Sequence, residues 1–182
     1  MRLDHIAYRS KNRHKTAKFF ADTLGYKIGT EFQIKFDDGN KADCLALVPP
    51  ENRTEETSLW RMETHLSLNE IETESPVEYH APPEIFVSDG PEGSIVGDWV
   101  KEKGAGIHHI AYQVEDVEKT MNDWLKAGYA EFYSERPLEC EGLVQVFTKP
   151  SSLTGVIYEL INRTGNGFCE ENVKALMEST KK

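Results

Sequence analysis

The chain has 182 residues and carries 31 acidic against 21 basic side chains, a net charge of −10. That length holds one large domain or two small ones. The acidic balance, with no basic stripe, excludes a nucleic-acid backbone as partner, and no run approaches the roughly 18 apolar residues of a membrane span. The N-terminus enters a strand pattern directly, with no apolar signal core, which reads as a cytoplasmic protein. Cys44, Cys140 and Cys169 are far apart, odd in number and form no C-x-x-C pair. Reduced thiols are therefore expected rather than a disulfide framework.

In chain order, "RLDHIAYRS" (2–10) alternates as a strand. Ala17, Phe20, Ala21 and Leu24 then recur at the spacing of a helix face, and Gly25 follows at a helix-stop position. "TEFQIKFDD" turns through Asp38-Gly39-Asn40 into "ADCLALV", a hairpin signal, and "EIFVS" reads as a further strand. Residues 50–80 fit no repeat and read as an insertion with a polar, loop-like start. In residues 89–105, Ser94 is an N-cap candidate ahead of Ile95, Trp99 and Val100, with Gly104 beyond, which predicts a connecting helix.

"GIHHIAYQV" (106–114) then repeats the opening strand, with its second histidine 104 positions after the first copy's. Val117, Met121, Trp124 and Leu125 form a helix face stopped by Gly128, and "AEFYSE", "LVQVFTK" and "GVIYELIN" read as strands. Each half therefore reads strand–helix–strand–strand–strand. This gives an α+β fold of two βαβββ modules, 1–88 and 106–162, whose internal repeat packs them side by side. Residues 163–182 read as a tail ending in a helix with Val173, Leu176 and Met177 on one face.

Strand side chains alternate between faces. His5 shares a face with Ala7 and Arg9, and His109 with Ala111 and Gln113, while Ile6, Tyr8, Ile110 and Tyr112 take the opposite, helix-packed side. A histidine beside a small alanine suits a pocket wall. The same alternation puts His108 on the helix side, in the slot of Asp4, as a bystander; His14, His65 and His80 fall in polar or uncertain segments. Glu159 lies in an apolar strand, where a carboxylate is costly unless it is paired, protonated or metal-bound. Glu84 opens "EIFVS" and completes a set of one histidine and one glutamate per module: His5, Glu84, His109 and Glu159. Two imidazoles with one carboxylate favour iron(II), whereas a fourth protein ligand favours Co, Ni, Zn or Mn.

These motifs resemble the vicinal oxygen chelate superfamily, which includes glyoxalases, epimerases, dioxygenases and bleomycin-resistance proteins. The resemblance covers nearly the whole chain except residues 50–80 and implies paired βαβββ modules curled into a cup around a divalent metal. Residues 2–120, with "LDHIAY" and "GIHHIAYQVEDV", are similar to methylmalonyl-CoA epimerase, which implies His5, Glu84, His109 and Glu159 as ligands. Residues 142–179, with "QVFTKP" and "GFCEENVKALMES", are similar to 4-hydroxyphenylpyruvate dioxygenase. That likeness implies iron(II) on His5, His109 and Glu159, with Gln145, Phe147, Phe168 and Asn172 facing a 2-oxo acid.

The epimerase-like alternative implies an isomerase or lyase, with Glu84 or Glu159 moving a proton. A second alternative is binding without turnover, as in resistance proteins. The partner expected in each case is a small molecule, and the fold leaves a homodimer open.

Overall fold

The computed structural model describes residues 1–50, 82–164 and 169–179. The expected insertion (about 50–80), His65, His80 and Phe168 therefore lie outside the described residues, apart from Pro50. Among the described residues twelve elements follow in order: β1 (Arg2–Arg9), α1 (Arg13–Leu24), β2 (Lys27–Lys35), β3 (Lys41–Val48), β4 (Glu84–Asp89), α2 (Ile95–Lys103), β5 (Gly106–Gln113), α3 (Val117–Ala127), β6 (Leu138–Cys140), β7 (Leu143–Phe147), β8 (Ile157–Arg163) and α4 (Glu170–Ser179).

The eight strands form one curled mixed sheet in the order β2-β3-β4-β1-β5-β8-β7-β6. The order is mirrored about the central antiparallel β1–β5 pair, and each module closes with a parallel pair, β1 with β4 and β5 with β8. The repeat extends to helix ends. Asn12 caps α1 by accepting from the Lys15 N–H at 2.9 Å, and Asp116 caps α3 by accepting from the Lys119 N–H at 2.8 Å. Gly25 (φ 74°) and Gly128 (φ 70°) end the two helices in the left-handed region that glycine enters without steric cost.

Ala17 and Phe20 of α1 pack on Leu45, Leu47, Ile85 and Val87, and Val117 and Met121 of α3 pack on Val146 and Leu160. Leu24 and Leu125, read as part of the helix faces, are 54% and 44% exposed, so each buried stripe is narrower than the sequence pattern. On the sheet's other face, Ile95, Val96 and Val100 of α2 join Ile34, Phe36, Cys44 and Met177. Ser94 caps α2, its hydroxyl accepting from the Gly97 N–H at 3.1 Å. The helix expected in the tail is present as α4, with Leu176 and Met177 buried.

Two expectations change. "AEFYSE" is no strand: Phe132 makes one isolated bridge to Thr148, and β6 begins only after Pro137, which has no N–H to donate. Cys140 and Cys169, expected as reduced thiols, are joined in a disulfide with their Cα atoms 6.4 Å apart. The start of α4 returns to the edge strand β6, an approach that a separation of 29 residues conceals. Cys44 is the one free cysteine, and it is buried. No described helix is long and apolar enough to cross a membrane.

Candidate metal centre

The concave face of the sheet encloses a cavity of about 740 Å³. Its centre is built by the β1–β5 register. His5 faces Ala111 and His109 faces Ala7, so each imidazole stands beside the other module's alanine and the two rings meet. Glu159 on β8 also faces Ala111 and reaches the same point.

The Nε2 atoms of His5 and His109 are 3.2 Å apart, and Glu159 Oε2 lies 3.2 Å from the first and 3.3 Å from the second. Donors about 2.1 Å from a shared ion stand roughly 3.0 Å apart at right angles and roughly 3.4 Å apart at tetrahedral ones. The observed spacings fall in that interval. The three residues are 8%, 7% and 2% exposed and form one of two groups of possible metal donors among the described residues. The other, Cys140, Cys169 and Glu171, has its two sulfurs spent in the disulfide.

The electrostatics suit a cation. Burial by itself would raise the Glu159 pKa, but the adjacent His5 and His109 hold it down at about 2. Burial would likewise lower that of His5, yet the carboxylates of Glu159 and Asp4 raise it to about 9. His109 is shifted downward, burial outweighing its hydrogen bond to Glu159. The group thus presents an ionised carboxylate and a neutral imidazole, with a second imidazole whose proton a metal ion would displace.

Glu84 is not brought to this point. Its carboxylate accepts from Arg163 Nη2 at 2.7 Å, and its side chain is 40% exposed at the cavity rim. The reason is register: Glu84 faces His5, whereas Phe86 faces Ala7 in the relation that Glu159 bears to Ala111. Phe86 therefore fills the fourth corner, its ring centroid 4.8 Å from that of His5.

Gln145 (3% exposed) and Phe147 (4%) line the cavity, and the Phe147 ring lies 5.4 Å from that of His109. Asn172 is buried on α4 with Oδ1 3.5 Å from Cys140 Sγ, outside the cavity wall; α4 lines the cavity through Val173, Leu176 and Met177. His14 is exposed on α1, as expected of a solvated side chain.

His108 departs from its expected place. Between Leu3/His5 and between Ala7/Tyr8 the β1–β5 ladder shifts by one residue. Asp4 is the extra residue of the first bulge and His108 of the second. A bulge breaks strict alternation, so Asp4–His5 and His108–His109 all line the cavity. Each bulge residue holds the Nδ1 of the histidine that follows: Asp4 Oδ1 is 2.8 Å from His5 Nδ1, and His108 Nδ1 is 2.9 Å from His109 Nδ1. Asp4 in turn accepts from Arg163 Nε at 3.0 Å. Neither support was read from the sequence. The available signal was the polar residue immediately before each repeated histidine, a short pair that only the bulge makes meaningful.

An eight-stranded cup with two histidines and a glutamate at its centre defines a paired-module protein with a candidate metal site. Residues 4–142 match the Glyoxalase/Bleomycin resistance protein/Dioxygenase superfamily, and the chain belongs to it. No curated protein matches the chain. Among solved structures, methylmalonyl-CoA epimerase from Mycobacterium tuberculosis is similar, with a TM-score of 0.59 at 16% identity over 90% of this chain and 88% of that one. The Streptomyces coelicolor epimerase in complex with 2-nitronate-propionyl-CoA gives 0.58 at 20% identity over 91% and 99%. A hypothetical protein from Bacillus halodurans gives 0.56 at 20% identity over 92% and 98%. These likenesses establish the fold.

Proposed function

We propose that the chain is a divalent-metal enzyme that holds its ion on His5, His109 and Glu159 and acts on a small molecule presenting two neighbouring oxygens to it. The observation that carries this reading is the spacing of the three buried donor atoms, 3.2, 3.2 and 3.3 Å. With Phe86 in the fourth corner, the donor set is two imidazoles and one carboxylate on one face, the set of iron(II) oxygenases. We therefore favour a dioxygenase acting on a 2-oxo acid.

An iron(II) ion, when bound, supplies the positions at which substrate oxygens and dioxygen meet. The remaining work belongs to the chain. Asp4 and His108 fix the orientation of the ligand histidines through their Nδ1 atoms. Phe86 and Phe147 present ring faces and edges that keep water from the centre. Arg2 at the cavity wall attracts an anionic substrate. Gln145 offers a buried amide Nε2 with no partner among the described residues, a donor for a substrate oxygen.

The test is anaerobic reconstitution with iron(II), then oxygen uptake with phenylpyruvate and 4-hydroxyphenylpyruvate. Stoichiometric iron with substrate-dependent uptake is expected. No uptake, with Co(II) or Ni(II) retained instead, would overturn it.

A second reading, an isomerase or lyase, is favoured by one feature: Glu84 is a carboxylate on the cavity wall outside the donor group, and its pairing with Arg163 holds it there as a candidate to move a proton. It predicts deuterium exchange at the carbon next to a substrate carbonyl, abolished in Glu84→Gln.

A further inference from the structure

His108 holds more than its neighbour. Its ring is 5% exposed, its Nδ1 faces His109 Nδ1, and its Nε2 is buried with no partner among the described residues. Arg9, 2% exposed, lines the same cavity from the β1 end. Its guanidinium carbon stands 5.3 Å over the Trp99 ring, and the Trp99 ring meets His108 edge-on with centroids 5.7 Å apart. Arg9 and His108, which both line the cavity, thus share a contact with Trp99 of α2, whereas Arg163 and Asp4 mark the other end of the β1–β5 pair.

The proton positions on the two histidines are linked. An ion held on His109 Nε2 leaves the ring proton on Nδ1, which must then donate to His108 Nδ1. The proton of neutral His108 is thereby confined to Nε2. That N–H has no acceptor among the described residues, and an unsatisfied buried donor is costly. The positive charge of Arg9, which lines the same cavity and contacts the same Trp99 ring, favours a negatively charged oxygen as the acceptor.

We propose that His108 and Arg9 form a second anchoring subsite, for a carboxylate that the ligand carries in addition to the oxygens that chelate the metal. The proposal rests on the metal centre proposed above and narrows the substrate to a dicarboxylic 2-oxo acid. His108 serves both ends of the arrangement, orienting His109 and donating to the distal carboxylate.

The experiment is calorimetric binding to the zinc-loaded full chain, a readout independent of turnover. The probes are 2-oxoglutarate and 2-oxoadipate, with 5-methyl-2-oxohexanoate as the control in which an isopropyl group replaces the distal carboxylate. The diacids are expected to bind roughly 10-fold to 100-fold more tightly than the control, the range for a charge-assisted hydrogen bond. His108→Gln, whose amide accepts from one side and donates to the other, keeps that preference. His108→Asp accepts from His109 as Asp4 does from His5, so it keeps stoichiometric zinc, but it repels the distal carboxylate and loses the preference. Arg9→Gln reduces it.

Equal binding of diacid and control by the zinc-loaded wild type, or an undiminished preference in His108→Asp, overturns the subsite and leaves the metal centre standing. A wild-type chain that takes up no metal overturns both.

Discussion

Phe86 is the symmetry counterpart of Glu159: one faces Ala7 across β4 and β1, the other faces Ala111 across β8 and β5. The two halves of the cup therefore offer unequal corners to the same point, an aromatic ring from the first module and a carboxylate from the second. Restoring the symmetry is the most direct probe of the centre. Phe86→Glu is expected to lower the melting temperature of the metal-free protein, because a buried carboxylate without a partner is costly. Zinc should more than restore it, with affinity raised roughly tenfold by the fourth donor. Thermal melts with and without zinc decide the matter; a destabilisation that metal does not reverse would show that position 86 does not face the ion.

The donor set makes a sharp distinction between the two rim and centre glutamates. Glu159→Gln, His5→Ala and His109→Ala should each abolish stoichiometric metal, whereas Glu84→Gln should leave it unchanged. The Glu84–Arg163 pair is partly exposed, so its loss should cost no more than about 1 kcal/mol. Metal analysis of the four purified variants, with urea unfolding of Glu84→Gln, checks this.

Asp4 is held between Arg163 and His5, with its pKa lowered: burial works against ionisation, but the His5 and Arg163 contacts prevail. Asp4→Asn keeps the shape and removes the charge that favours a Nδ1-protonated His5. Metal affinity should fall roughly 10-fold to 100-fold, measured by competition with a chromogenic chelator. An unchanged affinity would reduce Asp4 to a packing role.

The cysteines give a pH prediction. Burial raises the Cys44 thiol from 9.0 to about 12. Between those values the unfolded chain loses a proton that the folded chain keeps, so the contribution to stability is whole below pH 9 and declines as pH rises above it. Urea unfolding at pH 8 and pH 10 should show a larger loss in the wild type than in Cys44→Ala, by about 1 kcal/mol. Thiol titration of the unfolded, unreduced chain should find a single thiol, and three after reduction. Three thiols before reduction would refute the Cys140–Cys169 bond.

Much of this molecule is written in local pattern. The duplicated His-Ile-Ala-Tyr, the helix stripes from Ala17 and Val117 and the stop glycines 25 and 128 depend only on spacings of two and of three to four residues and on backbone freedom at glycine. They determine the paired modules, and they place His5 on the same strand face as Ala7 and His109 on the same face as Ala111.

What local pattern cannot hold is the number of residues that two distant strands spend against each other. One extra residue on β1 turns Asp4 inward and one on β5 turns His108 inward, against the alternation that made His108 a bystander. The β4–β1 register puts Phe86, two residues from Glu84, in the fourth corner. The return of α4 to β6 joins Cys140 to Cys169. Each of these follows from pairing between segments far apart in the chain, where the packing of both modules sets the register, so tertiary structure alone decided how the histidines are held and how many donors meet at the centre.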